Sequence, residues 1–169
     1  MTALPTTLRK TALITGASSG IGKALAFEFA KDGYDVVLAA RSIEKMKSLA
    51  NELHSHFKVN VIVISADLEI NGGATTLHAD IKARGIRLNA LVNNAGIIIR
   101  DGLDSPRAVA NFERMIDVNV LGTFRPTQAW LPALRASRGC IINIASIAAS
   151  AGLAGTLGYS PSKGAVKLM

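Results

Sequence analysis

Cysteine and aromatic residues are scarce in this sequence. The chain has one cysteine, Cys140, and only 5% of its residues are aromatic. A single thiol cannot form a disulfide within the chain, and three scattered histidines make a poor metal site, so a disulfide framework and a structural metal are both excluded. This composition is typical of a reducing compartment, and we expect a cytoplasmic protein.

Long apolar runs are also missing. The first ten residues, MTALPTTLRK, contain no apolar stretch of the length found in signal peptides, which argues against secretion. Residues 139–162 carry no charge and invite a membrane interpretation, but Asn143, Thr156 and the serines and glycines among them would be costly in lipid. We therefore expect no transmembrane helix.

Acidic residues are outnumbered, with 12 aspartates and glutamates against 19 lysines and arginines and a net charge of +7. Such an excess suits nucleic acid, a membrane surface or a phosphorylated small molecule. No dense Lys/Arg tract with interleaved aromatic residues is present, and the charges are spread over predicted helix faces, which favours an ordinary solvated surface. Nucleic-acid binding is kept only as a third hypothesis, and we expect neither a nucleic-acid nor a membrane partner.

The apolar residues that are present form five short runs separated by helical patterns. Hydrophobic residues make up 49% of the 169 residues, which is enough for a single folded domain spanning 1–169. Strands that are apolar throughout and alternate with helices belong in a parallel sheet covered on both faces, so we predict a doubly wound, Rossmann-like α/β fold. The predicted strands are 11–15, 35–40, 59–66, 89–95 and 140–146.

Capping residues mark several of the intervening helices. Gly33 is a good C-cap for the first helix, and Ser42 is a good N-cap for the second. Ser105 and Pro106 are expected to start a helical stretch that continues to residue 134, with a kink at Pro126. The run 145–158, rich in alanine, serine and glycine, is predicted to be an active-site loop.

A glycine-rich turn, TGASSGIG at 15–22, links the first strand to the first helix. Gly16 permits a tight turn, Gly20 lets the backbone approach a pyrophosphate closely, and Gly22 allows the helix to pack against the strand. The free N–H groups at the start of the helix favour an anion at this position. The turn therefore predicts a dinucleotide site.

The end of the second strand lacks the acidic residue that would bind the ribose 2′-hydroxyl of NAD. Ala40 stands where that acid is expected, and Arg41 follows it. A guanidinium is suited to holding a phosphate, so these two residues favour NADP over NAD. The alternative is that Arg41 only caps the edge of the sheet.

Tyr159 and Lys163 are four residues apart, which places their side chains on one face of a helix. A nearby ammonium stabilises a phenolate and makes general acid–base work possible at neutral pH. The spacing alone is common on protein surfaces. Ser146, at the end of the fifth predicted strand, and Asn119 supply further polar groups, which are expected to meet the pair at the carboxyl edge of the sheet.

Together, the TGASSGIG turn, the NNAG run at 93–96 and these four residues resemble the classical short-chain dehydrogenase/reductase (SDR) family. The resemblance covers nearly the whole chain. It implies hydride transfer between nicotinamide and a small-molecule ketone or secondary alcohol, with Tyr159 exchanging the proton on oxygen. Ser146 would orient that oxygen, Lys163 would bind the nicotinamide ribose and favour the phenolate, and Asn119 would hold a water in the proton relay.

The resemblance also implies a set of cofactor contacts. Asp67 would bind the adenine amino group, and the NNAG run would support the central sheet and lie along the cofactor. The expected cofactor-binding residues are Gly16, Ser18, Ser19, Gly20, Ile21, Gly22, Arg41, Asp67, Leu68, Asn93, Ala95, Gly96, Tyr159 and Lys163.

Members of the family continue past the tyrosine helix, and their strand order is 3-2-1-4-5-6-7. The resemblance therefore implies the order 3-2-1-4-5 here, and an incomplete copy whose fifth strand has an open edge. We expect a homo-oligomer, with cofactor binding less affected by truncation than turnover. The alternative to an NADP-dependent oxidoreductase is a non-catalytic module of the same ancestry that binds NADP or another chain.

Overall fold

Five parallel strands form one sheet in the order β3-β2-β1-β4-β5, which confirms the predicted fold class and strand order. The computed structural model describes residues 9–169; residues 1–8, which hold most of the segment used to argue against secretion, lie outside the described residues. The strands are β1 Thr11–Thr15, β2 Asp35–Ala40, β3 Val61–Ser65, β4 Ala90–Asn93 and β5 Cys140–Asn143.

Helices connect the strands, as parallel pairing requires, and they cover both faces of the sheet. They are α1 Gly20–Lys31, α2 Ile43–Phe57, α3 Gly73–Ala83, α4 Ala108–Met115, α5 Gly122–Ser137 and α6 Tyr159–Leu168. A π-helical segment, Ile116–Leu121, joins α4 to α5, and a short 3₁₀ helix, Ile147–Ala149, precedes α6.

The apolar strands supply two hydrophobic cores because successive side chains point to opposite faces of a sheet. Leu13 packs on one face with Trp130 of α5 and with residues of α3. Its neighbour Ile14 packs on the other face with Met46 of α2 and with residues of α1. Burial of one such side chain contributes about 2 kcal/mol, so both faces of β1 anchor the domain.

Several boundaries differ from the sequence prediction. The third, fourth and fifth strands are shorter than the apolar runs, and β5 ends at Asn143. Ser146 therefore does not end the fifth strand; it caps the 3₁₀ helix, where its Oγ accepts a hydrogen bond from Ala148 N. Helix α4 begins at Ala108 rather than at Ser105, because Ser105 and the residues after it form a turn in which Ser105 O accepts from Ala108 N.

The parallel arrangement brings the carboxyl ends of all five strands to one edge of the sheet. The glycine turn follows β1, Arg41 follows β2, and Asp67 comes two residues after β3. The site is therefore built at the edge where the loops after the strands meet.

No helix in the described part of the chain combines the length and the apolar character needed to cross a bilayer.

Candidate active site

A cleft of about 360 Å³ opens at the carboxyl edge of the sheet. The expected cofactor residues that line it are Gly16, Ser18, Ser19, Ile21, Arg41, Asp67, Leu68, Ala95 and Gly96. Residues that line it without having been predicted include Ser42, Ala66, Glu69, Asn94, Ile97 and Val118. Gly20, Gly22, Asn93, Tyr159 and Lys163 are not among its lining residues.

The glycine turn is held against the loop after β4 at two positions where no side chain fits. A Cβ on Gly22 would lie 2.5 Å from Asn94 Nδ2 and 2.5 Å from Gly16 O. Gly16 has a φ of +64°, and a Cβ there would lie 2.9 Å from the Cα of Ala95. These glycines therefore keep the turn close to the neighbouring loop, and Gly22 contacts the turn itself as well as the loop.

Gly20 has a different environment. Its φ of +55° lies in the left-handed region, and apart from its chain neighbours and the backbone of its own helix no atom lies within 4 Å of the Cβ position. The space in front of this glycine is thus open, and the first-turn N–H groups of α1 have no partner within the helix. Such a helix start can receive an anionic group, as the sequence predicts for a pyrophosphate.

The basic residue at the end of β2 lies on the rim of the cleft. The Arg41 side chain is 61% exposed, and its Nη1 is 3.6 Å from Glu69 Oε2. Ala40, the last residue of β2, has no carboxylate to repel a phosphate. The rim therefore offers a guanidinium to the cleft, together with a carboxylate partner that the sequence did not reveal.

The loop after β3 forms the adjoining part of the rim. Asp67 Oδ1 accepts a hydrogen bond from Glu69 N over 3.0 Å, which fixes the turn between β3 and α3. Leu68 is buried and gives the cleft an apolar wall. Asp67 therefore has a structural role in this turn as well as a position in the cleft.

The end of β4 is tied to β1 through Thr15. Thr15 Oγ1 donates to Val92 O and accepts from Asn94 N and Ala95 N, over 3.2, 3.0 and 3.1 Å. Asn94 Nδ2 donates to Thr15 O and, at 3.2 Å, to Gly16 O. Asn94 was missing from the predicted site residues although it stands inside the NNAG run. Its amide links the glycine turn to the cleft wall.

Asn93, the preceding asparagine, points away from the cleft into the protein. Its Nδ2 donates to Thr127 Oγ1 and to Asn143 Oδ1, each over 2.9 Å. These bonds connect β4 with α5 and β5. The two neighbouring asparagines therefore have different roles: Asn93 joins elements of the fold, and Asn94 shapes the cleft.

Gly96 connects the cleft with the polar residues predicted for catalysis. It lines the cleft, and a Cβ at this position would lie 3.2 Å from Asn119 Oδ1 and 3.4 Å from Lys163 Nζ. A methyl group here would contact both side chains tightly, and each would have to shift by a few tenths of an ångström. The absence of a side chain therefore lets both groups approach the cleft wall.

Asn119 lies in the π-helical segment and is completely buried. Its Oδ1 accepts from Ile97 N over 2.7 Å, and its Nδ2 donates to Ile97 O and to Ser162 Oγ, each over 2.9 Å. The side chain is thus engaged by the loop after β4 and by α6. Asn119 positions these two segments relative to each other.

Lys163 extends from α6 towards the end of β5. Its Nζ donates to Ile144 O over 2.6 Å and lies 6.0 Å from the centroid of the Tyr159 ring. Burial lowers the pKa of the Lys163 ammonium, because the charged form loses solvation. The ammonium has three donors, so two of them are not used by the bond to Ile144.

Tyr159 is the first residue of α6, and Ser146 begins the 3₁₀ helix that packs against α6. Ser162, which the sequence reasoning missed, is completely buried; its Oγ donates to Tyr159 O over 2.7 Å and accepts from Asn119 Nδ2. The only sequence feature that could have indicated a role for Ser162 is its position directly before Lys163. Ser162 therefore connects Asn119 to the first turn of the tyrosine helix.

Comparison with known proteins gives a match over most of the chain. The family model described as short chain dehydrogenase matches residues 10–169. An NADPH-dependent pterin aldehyde reductase of Arabidopsis thaliana is 34% identical over 160 residues, which cover 94% of this chain and 65% of that protein. An NADP-dependent 3-hydroxy acid dehydrogenase of Schizosaccharomyces pombe is also 34% identical, over 93% of this chain and 61% of that protein.

Solved structures show the same similarity. The alcohol dehydrogenase of the archaeon Thermococcus sibiricus, complexed with 5-hydroxy-NADP, superposes with a TM-score of 0.89 at 30% identity, covering 95% of this chain and 68% of that one. The L-sorbose reductase of Gluconobacter frateurii, complexed with NADPH and L-sorbose, gives a TM-score of 0.88 at 31% identity, covering 95% and 61%. The chain spans between 39% and 65% of the length of the curated relatives compared with it.

Proposed function

This chain belongs to the short-chain dehydrogenase family, and on that premise we propose that it is an NADP-dependent oxidoreductase acting on a ketone or secondary alcohol. The observation that carries the proposal is the position of Lys163 Nζ, 3.4 Å from where a Cβ of Gly96 would be, next to a residue that lines the cleft. The predicted catalytic lysine and the predicted cofactor cleft are thus neighbours. NADP or NADPH is named in relatives and in complexes of similar structures, which supports this cofactor.

The residues that line the cleft and those beside it fit such a cofactor. The open space at Gly20 and the start of α1 would receive the pyrophosphate, while Arg41 would hold the 2′-phosphate. Leu68 and Ile97 would enclose the adenine end and the central part, respectively. When bound, the cofactor supplies or accepts a hydride at nicotinamide C4.

The protein's part in the reaction is to orient the substrate and move a proton. The Tyr159 hydroxyl would donate the proton to the carbonyl oxygen during reduction and accept it during oxidation. The Lys163 ammonium would stabilise the phenolate, and Ser146 would hold the substrate oxygen by a hydrogen bond. Asn119, through Ser162, would keep the first turn of α6 in place.

Replacement of Tyr159 by phenylalanine tests the catalytic part of the proposal. Tyr159→Phe is expected to lower turnover of a ketone panel by at least about a hundredfold, because the general acid is lost, while the Kd for NADPH changes little. Tyr34→Phe is the matched control, since Tyr34 packs on Phe29 and does not line the cleft, and it should keep its activity. NADPH binding without Tyr159-dependent turnover would instead support the non-catalytic module.

Replacement of Arg41 tests the preference for NADP. Arg41→Gln should weaken NADPH by about tenfold to a hundredfold and leave NADH nearly unchanged, because only NADPH carries the 2′-phosphate that the guanidinium binds. Equal losses for both nucleotides would defeat this assignment.

A homo-oligomeric state and a cytoplasmic location are part of the same proposal. Measurement of the molecular size of the purified chain tests the oligomeric state.

A further inference from the structure

Three charged side chains meet on the rim of the cleft. Glu69, in the loop after β3, lies between Arg41 from the end of β2 and Arg114 from the last turn of α4. Glu69 and Arg41 line the cleft, and Val118, which follows Arg114 by four residues, lines it as well. The guanidinium of Arg41, which the proposed function assigns to the 2′-phosphate, is therefore part of this cluster.

Glu69 contacts the two arginines unequally. Arg114 holds both of its carboxylate oxygens, with Nε 2.5 Å from Oε1 and Nη2 3.2 Å from Oε2. Arg41 makes only a long ion pair, with Nη1 3.6 Å from Oε2, and no hydrogen bond. The hydrogen bond from Arg114 is also the main cause that lowers the pKa of the Glu69 carboxyl. The carboxylate thus stays ionised and is committed to Arg114.

We propose that Arg114 is a specificity-determining residue for NADP that acts by positioning: it occupies Glu69 and so leaves the donors of Arg41 available to a 2′-phosphate. This inference rests on the proposed function of Arg41. Without Arg114, both carboxylate oxygens of Glu69 become available for a bidentate bond with Arg41, which is the geometry that arginine and carboxylate prefer. The phosphate would then have to displace that bond.

The formal charges of the cluster support the same inference as its hydrogen bonds. Arg41, Glu69 and Arg114 together carry a formal charge of +1, and loss of Arg114 leaves zero. Asp67, whose Oδ1 accepts from Glu69 N, adds a further negative charge nearby. Removal of Arg114 therefore lowers the electrostatic attraction of this rim for a phosphate dianion. It also lets Glu69 bind the guanidinium of Arg41.

The test is a set of Kd measurements for NADPH and NADH on the 169-residue chain at one low ionic strength, where exposed charges are least screened. Arg114→Gln is expected to weaken NADPH by about tenfold and to leave NADH unchanged within about twofold. Glu69→Gln combined with Arg114→Gln should restore NADPH affinity to about the wild-type value, because no carboxylate remains to engage Arg41.

Arg84→Gln is the matched control. Arg84, directly after α3, holds Asp80 through the same pair of donors, with Nε 2.7 Å from Oδ1, but it lies outside the cleft lining. It should leave both nucleotide affinities unchanged. Thermal unfolding of each variant shows whether the fold is retained; Arg84 and Arg114 are about half exposed and Glu69 is partly exposed, so these positions are expected to tolerate the change.

The outcomes separate this inference from the proposed function. If Arg41→Gln weakens NADPH selectively and Arg114→Gln does not, the role of Arg114 is overturned while that of Arg41 stands. If Arg114→Gln weakens NADPH and the double variant stays equally weak, Arg114 acts on the phosphate directly, and positioning through Glu69 is wrong. If Arg41→Gln itself leaves the preference for NADPH intact, the cofactor part of the proposed function fails first.

Discussion

Substitution of Gly22 by alanine is expected to destabilise this protein strongly although the new side chain is a single methyl group. The added Cβ would lie 2.5 Å from Asn94 Nδ2 and 2.5 Å from Gly16 O, well inside contact distance. Neither neighbour is the free end of a flexible chain. Gly16 O belongs to the backbone of the turn, and Asn94 Nδ2 already donates to Thr15 O and Gly16 O.

The magnitude follows from what must move. Overpacking of a tightly packed site costs about 1–3 kcal/mol, and each hydrogen bond that Asn94 loses costs about 1 kcal/mol. Alanine returns up to about 1 kcal/mol because it is a better helix former than glycine. We therefore expect the free energy of unfolding to fall by about 3 kcal/mol, which corresponds to a decrease in Tm of about 6–12 °C for a chain of this size.

Urea unfolding followed by circular dichroism measures this change, with Gly164→Ala as the matched control. Gly164 is also helical, but the nearest atom to its Cβ position is Ala149 O at 3.9 Å, an ordinary contact. Gly164→Ala should therefore stabilise the chain by about 0.5–1 kcal/mol. A free energy of unfolding for Gly22→Ala within about 0.5 kcal/mol of the wild type, or an equal loss for both variants, would contradict this expectation.

Three further results are expected. Asn119→Ala should lower the free energy of unfolding in urea by about 2–4 kcal/mol, because it removes three hydrogen bonds of a completely buried side chain, two to Ile97 and one to Ser162; a loss below about 1 kcal/mol would contradict this. Lys163→Met should remove a rise in stability with pH, since burial lowers the lysine pKa and the unfolded chain binds more protons between the folded pKa and the ordinary one; equal pH profiles would contradict it. Glu69→Gln should remove a loss of stability in acid, because the depressed pKa makes the carboxylate stabilising above its ordinary pKa and ineffective below the folded one; urea titrations down to strongly acidic pH test this.

Local patterns were sufficient for the fold class and for the general place of the site. Strands β1 and β2 were predicted with their observed bounds, since an apolar run flanked by turn residues specifies a buried strand without further information. The strand order came from the family resemblance. The position of Arg41 directly after β2 also follows from the chain, because it depends only on where that strand ends.

Other features required the folded structure. The π-helical segment around Asn119 was not predicted, because its wider turn does not change the apolar pattern on which a helix prediction depends. The end of β5 was predicted too late, since the apolar run continues to residue 145 while pairing with β4 stops at Asn143. Pairing is a property of two strands, and a single run of residues does not contain it.

The amino-acid sequence alone indicated the class of sheet, the main helices and strands, and the ends of β1 and β2. The pairing of side chains at the carboxyl edge became visible only in the folded chain: Asn119 bonds to Ile97 and Ser162, and Glu69 bonds to Arg114, 45 residues away. This difference follows from the range of the interactions involved. Periodicity and capping depend on neighbours within a few residues, whereas a hydrogen bond between distant segments depends on the distance and direction that the whole packing imposes on them.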